Sequence, residues 1–223
     1  MGGTGGFPID LILFGMIAAF LVLRLRSILG KRTGFERPAQ PVSSPQPRNA
    51  APPVVEGVAE PAVSSSSRQM PDPSSQAGQV LSRMQALDPS FDAGAFLGGA
   101  EQAFRMIVAA FASGDRQALQ ALLSPETYQA FEQAISAREA AGHTQVTEIH
   151  AIQSLSVDSA EIKDSTGAIS VRIVSDQVSY TLDQNRHPVV GTEAVTEITD
   201  IWSFERDLKS QDPTWRLVAA RSA

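Results

Sequence analysis

The chain contains no cysteine among its 223 residues, and this absence excludes several kinds of chemistry. Disulfide bonds, thiol nucleophiles and zinc–thiolate sites all require cysteine. Histidine is scarce as well, and His143, His150 and His187 are the only three. His143 follows a helix-ending glycine, His150 alternates with apolar strand residues, and His187 lies in a predicted turn. No two of them have metal-ligand spacing on one helix or strand, so neither a metal nor a cofactor is predicted.

Positive charge is scarce in the larger, C-terminal part of the chain. Residues 79–223 contain eleven Lys or Arg against nineteen Asp or Glu, a net charge of −8. Binding to nucleic acid requires a basic face that neutralises phosphates. The acidity therefore argues against a nucleic-acid partner. Residues 1–37 differ, with five Lys or Arg against two acids.

Aromatic residues make up only 6% of the chain, and both tryptophans fall near its end. Between residues 194 and 204 one face of a period-two strand is formed by Ala194, Thr196, Ile198, Asp200, Trp202 and Phe204. The same period returns in Trp215, Leu217 and Ala219, after a polar stretch with the turn former Asp212-Pro213. This pattern predicts a long antiparallel hairpin with both tryptophans on one face, against which the other elements pack.

The longest apolar run lies near the N-terminus and predicts a membrane anchor within residues 1–32. Leu11 to Leu23 contains no charged residue, and the Lys and Arg residues follow it. The positive-inside rule then places the N-terminus outside and the rest of the chain in the cytoplasm. An interfacial helix or an uncleaved targeting sequence is the alternative. The predicted anchor residues are Leu11, Ile12, Leu13, Phe14, Ile17, Phe20, Leu21, Val22 and Leu23.

Residues 33–77 are predicted to be a disordered linker. Nine of the fourteen prolines lie between residues 38 and 78, together with the run Ser64 to Ser67. The central part of this stretch shows no periodicity and no aromatic residue. Such a composition buries too little surface to offset the entropy of ordering.

Residues 78–223 are predicted to form one α+β domain, with helices first and an antiparallel sheet after them. Apolar residues recur at helical spacing from Val80 to Leu87 and from Phe96 to Phe111. Asp115 predicts the start of a short helix, and Ser124-Pro125-Glu126 the start of another that stops at Gly142.

The pattern then changes to period two. Strands are predicted at residues 149–157, 160–163 and 169–182, before the tryptophan hairpin. The alternating face shifts from Ile169, Val171 and Ile173 to Val178, Tyr180 and Leu182, which predicts a bulge near Ser175-Asp176. The helices are expected to cover one face of a curved sheet, with a pocket between.

Several runs of residues 78–223 resemble the Tim forty-four (Tim44) domain family. The helical runs are residues 96–100, 107–115, 122–125 and 138–142. The strand runs are residues 171–175, 195–206 and 215–219, and Trp202 with Trp215 is the most specific part. The anchor and proline-rich linker are similar to those of the bacterial TimA members.

The resemblance implies a fold related to nuclear transport factor two, also called cystatin-like, with a hydrophobic pocket and an inner-membrane location. For mitochondrial members it implies an adaptor that recruits a heat-shock chaperone to the presequence translocase. The recruiting N-terminal region has no counterpart here, so neither the chaperone nor transport activity is carried over. The expected function is that of a membrane-anchored adaptor that binds an unidentified protein partner, linked to membrane protein transport or assembly.

The pocket residues expected from these patterns are the aromatic and apolar residues of the helices and the hairpin. They are Phe104, Phe111, Tyr180, Ile198, Trp202, Phe204 and Trp215. The sequence shows no nucleophile–base pair, no metal-ligand cluster and no phosphate loop, so no catalytic residue is predicted. The alternative is an enzyme or small-ligand and lipid-binding module centred on Asp200, whose pKa an apolar surrounding would raise. In the opposing interpretation, Asp200 faces solvent or pairs with Arg206 or Arg172.

Overall fold

The computed structural model of the protein describes residues 66–223. The predicted membrane anchor and most of the predicted linker lie outside these residues. Among residues 66–223, no helix combines the length and the hydrophobicity needed to span a bilayer. The end of the predicted linker is ordered, because Ser67–Gln69 forms a strand and a helix begins at Gln76. The prediction of disorder is therefore wrong for this last part of residues 33–77.

Four helices and five strands form the described part of the chain. The helices are α1 (Gln76–Leu87), α2 (Ala93–Ser113), α3 (Arg116–Leu122) and α4 (Pro125–Ala140). The strands are β1 (Ser67–Gln69), β2 (Thr144–Lys163), β3 (Thr166–Leu182), β4 (Pro188–Asp207) and β5 (Arg216–Ser222). Apart from β1, the helices precede the sheet, which confirms the α+β prediction.

Local capping chemistry sets the helix ends. Each helix begins after a residue whose side chain accepts a hydrogen bond from the backbone N–H three residues later. These N-cap residues are Ser75, Asp92, Asp115 and Ser124. Gly114 ends α2 with a φ of 75°, a left-handed conformation that a glycine adopts without steric cost. The predicted helix starts at Asp115 and Ser124 are thus confirmed.

The strands form one sheet in the order β1-β2-β3-β4-β5. β2 to β5 are antiparallel, whereas β1 pairs in parallel with the outer edge of β2. The two strands predicted at residues 149–157 and 160–163 are one continuous strand, since β2 contains register shifts rather than a turn. Such irregularities bend a strand and increase its twist.

The bulges do not lie where the sequence predicted them. β3 keeps one alternation from end to end, so Ser175, Gln177 and Ser179 stay buried in phase with Ile173. The predicted bulge at Ser175-Asp176 is therefore wrong, and the shifts lie in the neighbouring strands, for example between Ile149 and Ala151.

The hairpin of β4 and β5 contains a register shift of its own. Leu217 pairs with Phe204, as the alternation predicts, but Ala220 rather than Ala219 pairs with Trp202. Ala219 pairs with Ser203 and therefore lies on the opposite side of the sheet.

The hydrophobic core lies between the four helices and one side of the sheet. Its fully buried members include Met84, Leu97, Phe104, Ile107, Leu119, Leu123, Ile135, Leu155, Ile169, Ile173, Phe204 and Leu217. On this helix-facing side β3 is apolar up to Ile173 and polar from Ser175 onward. The side chains of the helices thus pack against the apolar end of the sheet.

Candidate functional site

The structure separates the seven predicted pocket residues instead of gathering them around one cavity. Phe104 and Trp202 belong to the core, where their rings meet edge to face with centroids 4.7 Å apart. Tyr180 pairs with Val146 and Gly191 and lies on the side of the sheet away from the helices. The prediction that these three residues line a common pocket is therefore wrong.

Phe111 and Ile198 also lie apart from each other. Phe111 packs edge to face on Phe131 at 5.2 Å and lies under the guanidinium of Arg138, which donates to the carbonyl oxygens of Phe111 and Ala112. Burial lowers the pKa of Arg138, although the neighbouring Glu139 opposes this. Ile198 pairs with Ser175 at the polar end of the helix-facing side. Phe111 thus packs α4 against the end of α2, whereas Ile198 lies on the sheet, at its polar end.

The remaining two predicted residues, Phe204 and Trp215, line an open groove between α2 and the β4–β5 hairpin. We name it the α2–hairpin groove. It encloses about 390 Å³. Its apolar lining consists of Phe91, Ala95, Phe96, Ala100, Ala103, Met106, Leu122, Phe204 and Trp215, with Gly99 between them. Of the seven predicted pocket residues, the groove therefore contains only these two.

Contacts between aromatic rings build one wall of the groove. The ring of Trp215 meets Phe96 edge to face at a centroid distance of 4.8 Å and is tilted against Phe91 at 5.8 Å. Phe96 in turn meets Phe204 edge to face at 6.0 Å. Such tilted and edge-to-face pairs are favourable for aromatic quadrupoles. The cluster gives the groove a firm apolar surface.

The opposite rim contains short side chains of α2. Gly99 points into open space, since a Cβ added there would meet no atom within 4 Å. Met106 lies seven residues further along α2, about two helical turns, and is 52% exposed. The rim is therefore accessible from solvent along about two turns of the helix.

A buried ion pair holds the ends of the groove together. Arg206, whose side chain is only 8% exposed, pairs with Asp88 at the end of α1. Its Nη1 donates to the carbonyl oxygen of Pro213 at 3.3 Å, and its guanidinium lies 5.5 Å from the ring centroid of Trp215. Asp88 also accepts hydrogen bonds from the backbone N–H and the hydroxyl of Ser90. One arginine of β4 thus connects the α1–α2 turn with the segment that precedes β5.

Asp200 lies on the helix-facing side of the sheet and is only 9% exposed. It pairs across the strands with Ile173 and accepts a hydrogen bond from the hydroxyl of Ser222 at 3.1 Å. Of the two arginines considered as its partners, Arg206 forms an ion pair with Asp88 and Arg172 forms one with Asp158.

Beyond Asp200 the helix-facing side carries a row of buried and half-buried polar groups. Gln177 donates to the hydroxyl of Ser175 at 2.9 Å. Gln145 donates to both Thr147 and Ser179 at 3.1 Å. These side chains satisfy one another, as buried polar groups generally do.

The histidines do not form a site in the described part of the chain. His150 and His187 are exposed, and each lies near a carboxylate of its own strand or turn. Within residues 66–223 no three His, Asp or Glu side chains are grouped so that they could hold a metal ion.

Comparison with known protein families matches the Tim44-like domain to residues 77–222. The chain belongs to the Tim44-like domain family. A comparison with curated proteins found no match.

Solved structures that match part of this chain include the intermembrane space region of the chloroplast protein ARC6. It is 14% identical, with a TM-score of 0.45, over 60% of this chain and 98% of that one. A protein of the NTF2-like family from Streptomyces avermitilis is 11% identical, with a TM-score of 0.33, over 55% and 92%. A ketosteroid isomerase-like protein from Erwinia carotovora atroseptica is 13% identical, with a TM-score of 0.28, over 59% and 96%.

Sequence reasoning missed Phe91, Asp88 and the buried state of Arg206. A signal for Arg206 was present, because it shares the alternation of Trp202 and Phe204 and therefore falls on the apolar side of β4. Phe91 stands alone in the α1–α2 turn, where no periodicity marks it. Its contact with Trp215 joins positions 124 residues apart, which a local pattern does not reveal.

Proposed function

We propose that this protein is a membrane-anchored adaptor of the bacterial TimA type with its Tim44-like domain in the cytoplasm. In this proposal the domain binds a hydrophobic or amphipathic segment of a protein partner in the α2–hairpin groove and catalyses no reaction. The observation that carries it is an aromatic-walled groove that stays open to solvent. Exposed apolar surfaces with rigid aromatic anchors are typical of protein-binding sites.

The size and setting of the groove support a short segment as the ligand. A volume of about 390 Å³ admits a few large side chains, and the ion pair of Asp88 and Arg206 keeps both walls in place. Little reorganisation is then needed on binding, which favours affinity. An anchor and a long linker would raise the local concentration of the domain near membrane-bound partners.

Filling the groove should abolish the cellular function without unfolding the domain. Gly99→Gln places a polar side chain in the open groove and replaces a glycine by a better helix former. We expect this variant to fail in complementing a deletion strain, at a normal membrane level of the protein. Ala109→Gln, on an exposed position of the same helix outside the groove, is the matched control and should complement fully. Equal behaviour of the two variants would contradict the role of the groove.

The second candidate function is a pocket enzyme or small-ligand and lipid-binding module centred on Asp200. The observation in its favour is the burial of this carboxylate on the helix-facing side, next to the polar row of Ser175 and Gln177. Asp200→Asn distinguishes the two candidates in the same complementation assay. The adaptor proposal expects a functional variant, whereas outright failure of a folded, correctly located Asp200→Asn protein would put the enzyme first.

The topology follows from the charges after the apolar run and can be tested separately. We expect the folded domain to resist protease added to intact spheroplasts, because it lies on the cytoplasmic side, and to be digested after lysis. A periplasmic marker protein should be digested in both samples. Loss of the domain before lysis would reverse the proposed orientation.

A further inference from the structure

Residues 66–69 form a short strap on the outer edge of the sheet. Ser67, Arg68 and Gln69 pair in parallel with Ser154, Leu155 and Ser156 of β2. Ser67, Arg68 and Gln69 are exposed and none of the four strap residues is apolar, so the strap buries no apolar side chain of its own. It is held by main-chain pairing and by polar contacts, a combination typical of elements that open locally.

The strap makes its polar contacts with Glu101 on α2. Both Nε and Nη2 of Arg68 donate to Oε2 of Glu101, at 3.2 and 3.0 Å, and the hydroxyl of Ser66 donates to the same oxygen at 2.6 Å. Gly98 lies directly beneath, because a Cβ added there would be 3.5 Å from Nη1 of Arg68. Glu101 and Gly98 thus form a shallow seat for a guanidinium group.

Glu101 has a second cationic neighbour besides Arg68 of the strap. Its side chain is only 14% exposed, and its other oxygen lies 3.7 Å from Arg105 on the next helical turn. Burial acts to raise the pKa of Glu101, but the hydrogen bonds from Ser66 and Arg68 and the charges of Arg68 and Arg105 outweigh it and lower the pKa. Arg105 belongs to α2 and not to the strap, so it stays next to the carboxylate when the strap leaves.

We propose that this α2–β2 corner is a docking site for an extended, arginine-bearing segment of a partner protein, and that the strap is its resident self-ligand. The site combines strand addition to the edge of β2 with one carboxylate that selects an arginine two residues after a hydroxyl residue. Competition by the strap would then keep the site closed until a partner of the same chemistry is present. The site lies across α2 from the groove, and its argument is independent of the adaptor proposal.

The net charge of the domain favours a basic partner over a neutral one. Residues 66–223 contain twelve Lys or Arg against twenty Asp or Glu, a net charge of −8. An acidic domain attracts basic segments at long range, and Glu101 then fixes the arginine at short range.

The test uses the full chain in detergent and a fluorescein-labelled peptide of residues 63–71 as probe. Fluorescence anisotropy measures its binding. Because a competing self-ligand reduces the apparent affinity by the fraction of open sites, Arg68→Ala should bind the peptide at least about tenfold more tightly than the unaltered chain. Arg83→Ala, which removes an exposed arginine of α1, should bind as weakly as the unaltered chain.

Two further variants in the Arg68→Ala background test the seat itself. Glu101→Gln removes the charge, and Gly98→Leu covers the place of the guanidinium while leaving the charge intact. Both should lose peptide binding, as should a peptide in which arginine is replaced by alanine. Equal binding by the unaltered chain and Arg68→Ala would overturn the proposal. A loss of the far-UV circular dichroism signal in Arg68→Ala would overturn it too, because the strap would then be a structural element.

Discussion

Replacing Trp202 by alanine is expected to lower the free energy of unfolding by about 3–5 kcal/mol. The ring is 6% exposed and lies edge to face on Phe104, so its removal leaves a cavity between α2 and the sheet. Because Trp202 lies in a strand and Phe104 in a helix, the surrounding structure can collapse only partly into the cavity. Equilibrium urea unfolding of residues 66–223, followed by far-UV circular dichroism, measures the loss.

Val195→Ala on the same strand is the control for this experiment. Val195 is 55% exposed, and surface substitutions of this kind usually change stability by less than about 0.5 kcal/mol. A loss below about 1 kcal/mol for Trp202→Ala would mean that the ring does not belong to the core. Trp202 would then return to the set of candidate binding residues.

Replacing Asp88 by alanine is expected to cost about 3–5 kcal/mol as well, for a different reason. Arg206 would keep its buried position but lose its carboxylate, and a buried charge without its partner is strongly unfavourable. The loss should also loosen the turn that carries Phe91, because Asp88 accepts two hydrogen bonds from Ser90. The same unfolding measurement applies.

A double variant separates the lost charge from lost packing. Asp88→Ala combined with Arg206→Met removes both charges and keeps an apolar stem over Trp215. It should be more stable than Asp88→Ala alone, because paired buried charges can often be replaced by apolar groups at little cost. If the double variant is as unstable as the sum of the single variants, the two side chains act independently and the ion pair does not hold the groove.

The helices and strands of this domain can be predicted because the sequence signals for each lie within a few residues of one another. Ser124-Pro125-Glu126 supplies a cap, a fixed φ and an acidic first turn in three consecutive positions, and α4 begins there. Gly114 ends α2 for an equally local reason. The predicted strand at residues 194–204 likewise follows from alternation alone.

The prediction of the pocket is wrong because long-range strand pairing decides which side chains meet. Tyr180 is predicted to line a pocket with Trp202 and a bulge is predicted near Ser175, yet β3 keeps its alternation by burying serine and glutamine. A period-two pattern assigns residues to two sides, but it does not say which polar residues can be satisfied on the buried side. Gln145, Thr147 and Ser179 find partners in one another, and only the register of β2 against β3 brings them together.

The α+β class, the helix ends, the tryptophan hairpin and the resemblance to the Tim44-like family can be predicted from local sequence, because short-range periodicity, capping and motifs carry these. The open groove, the buried pair of Asp88 and Arg206, and the seat of Arg68 on Glu101 arise only when the domain folds. Each of these joins residues more than thirty positions apart. Their partners are chosen by strand register and helix placement, which depend on how the whole domain packs.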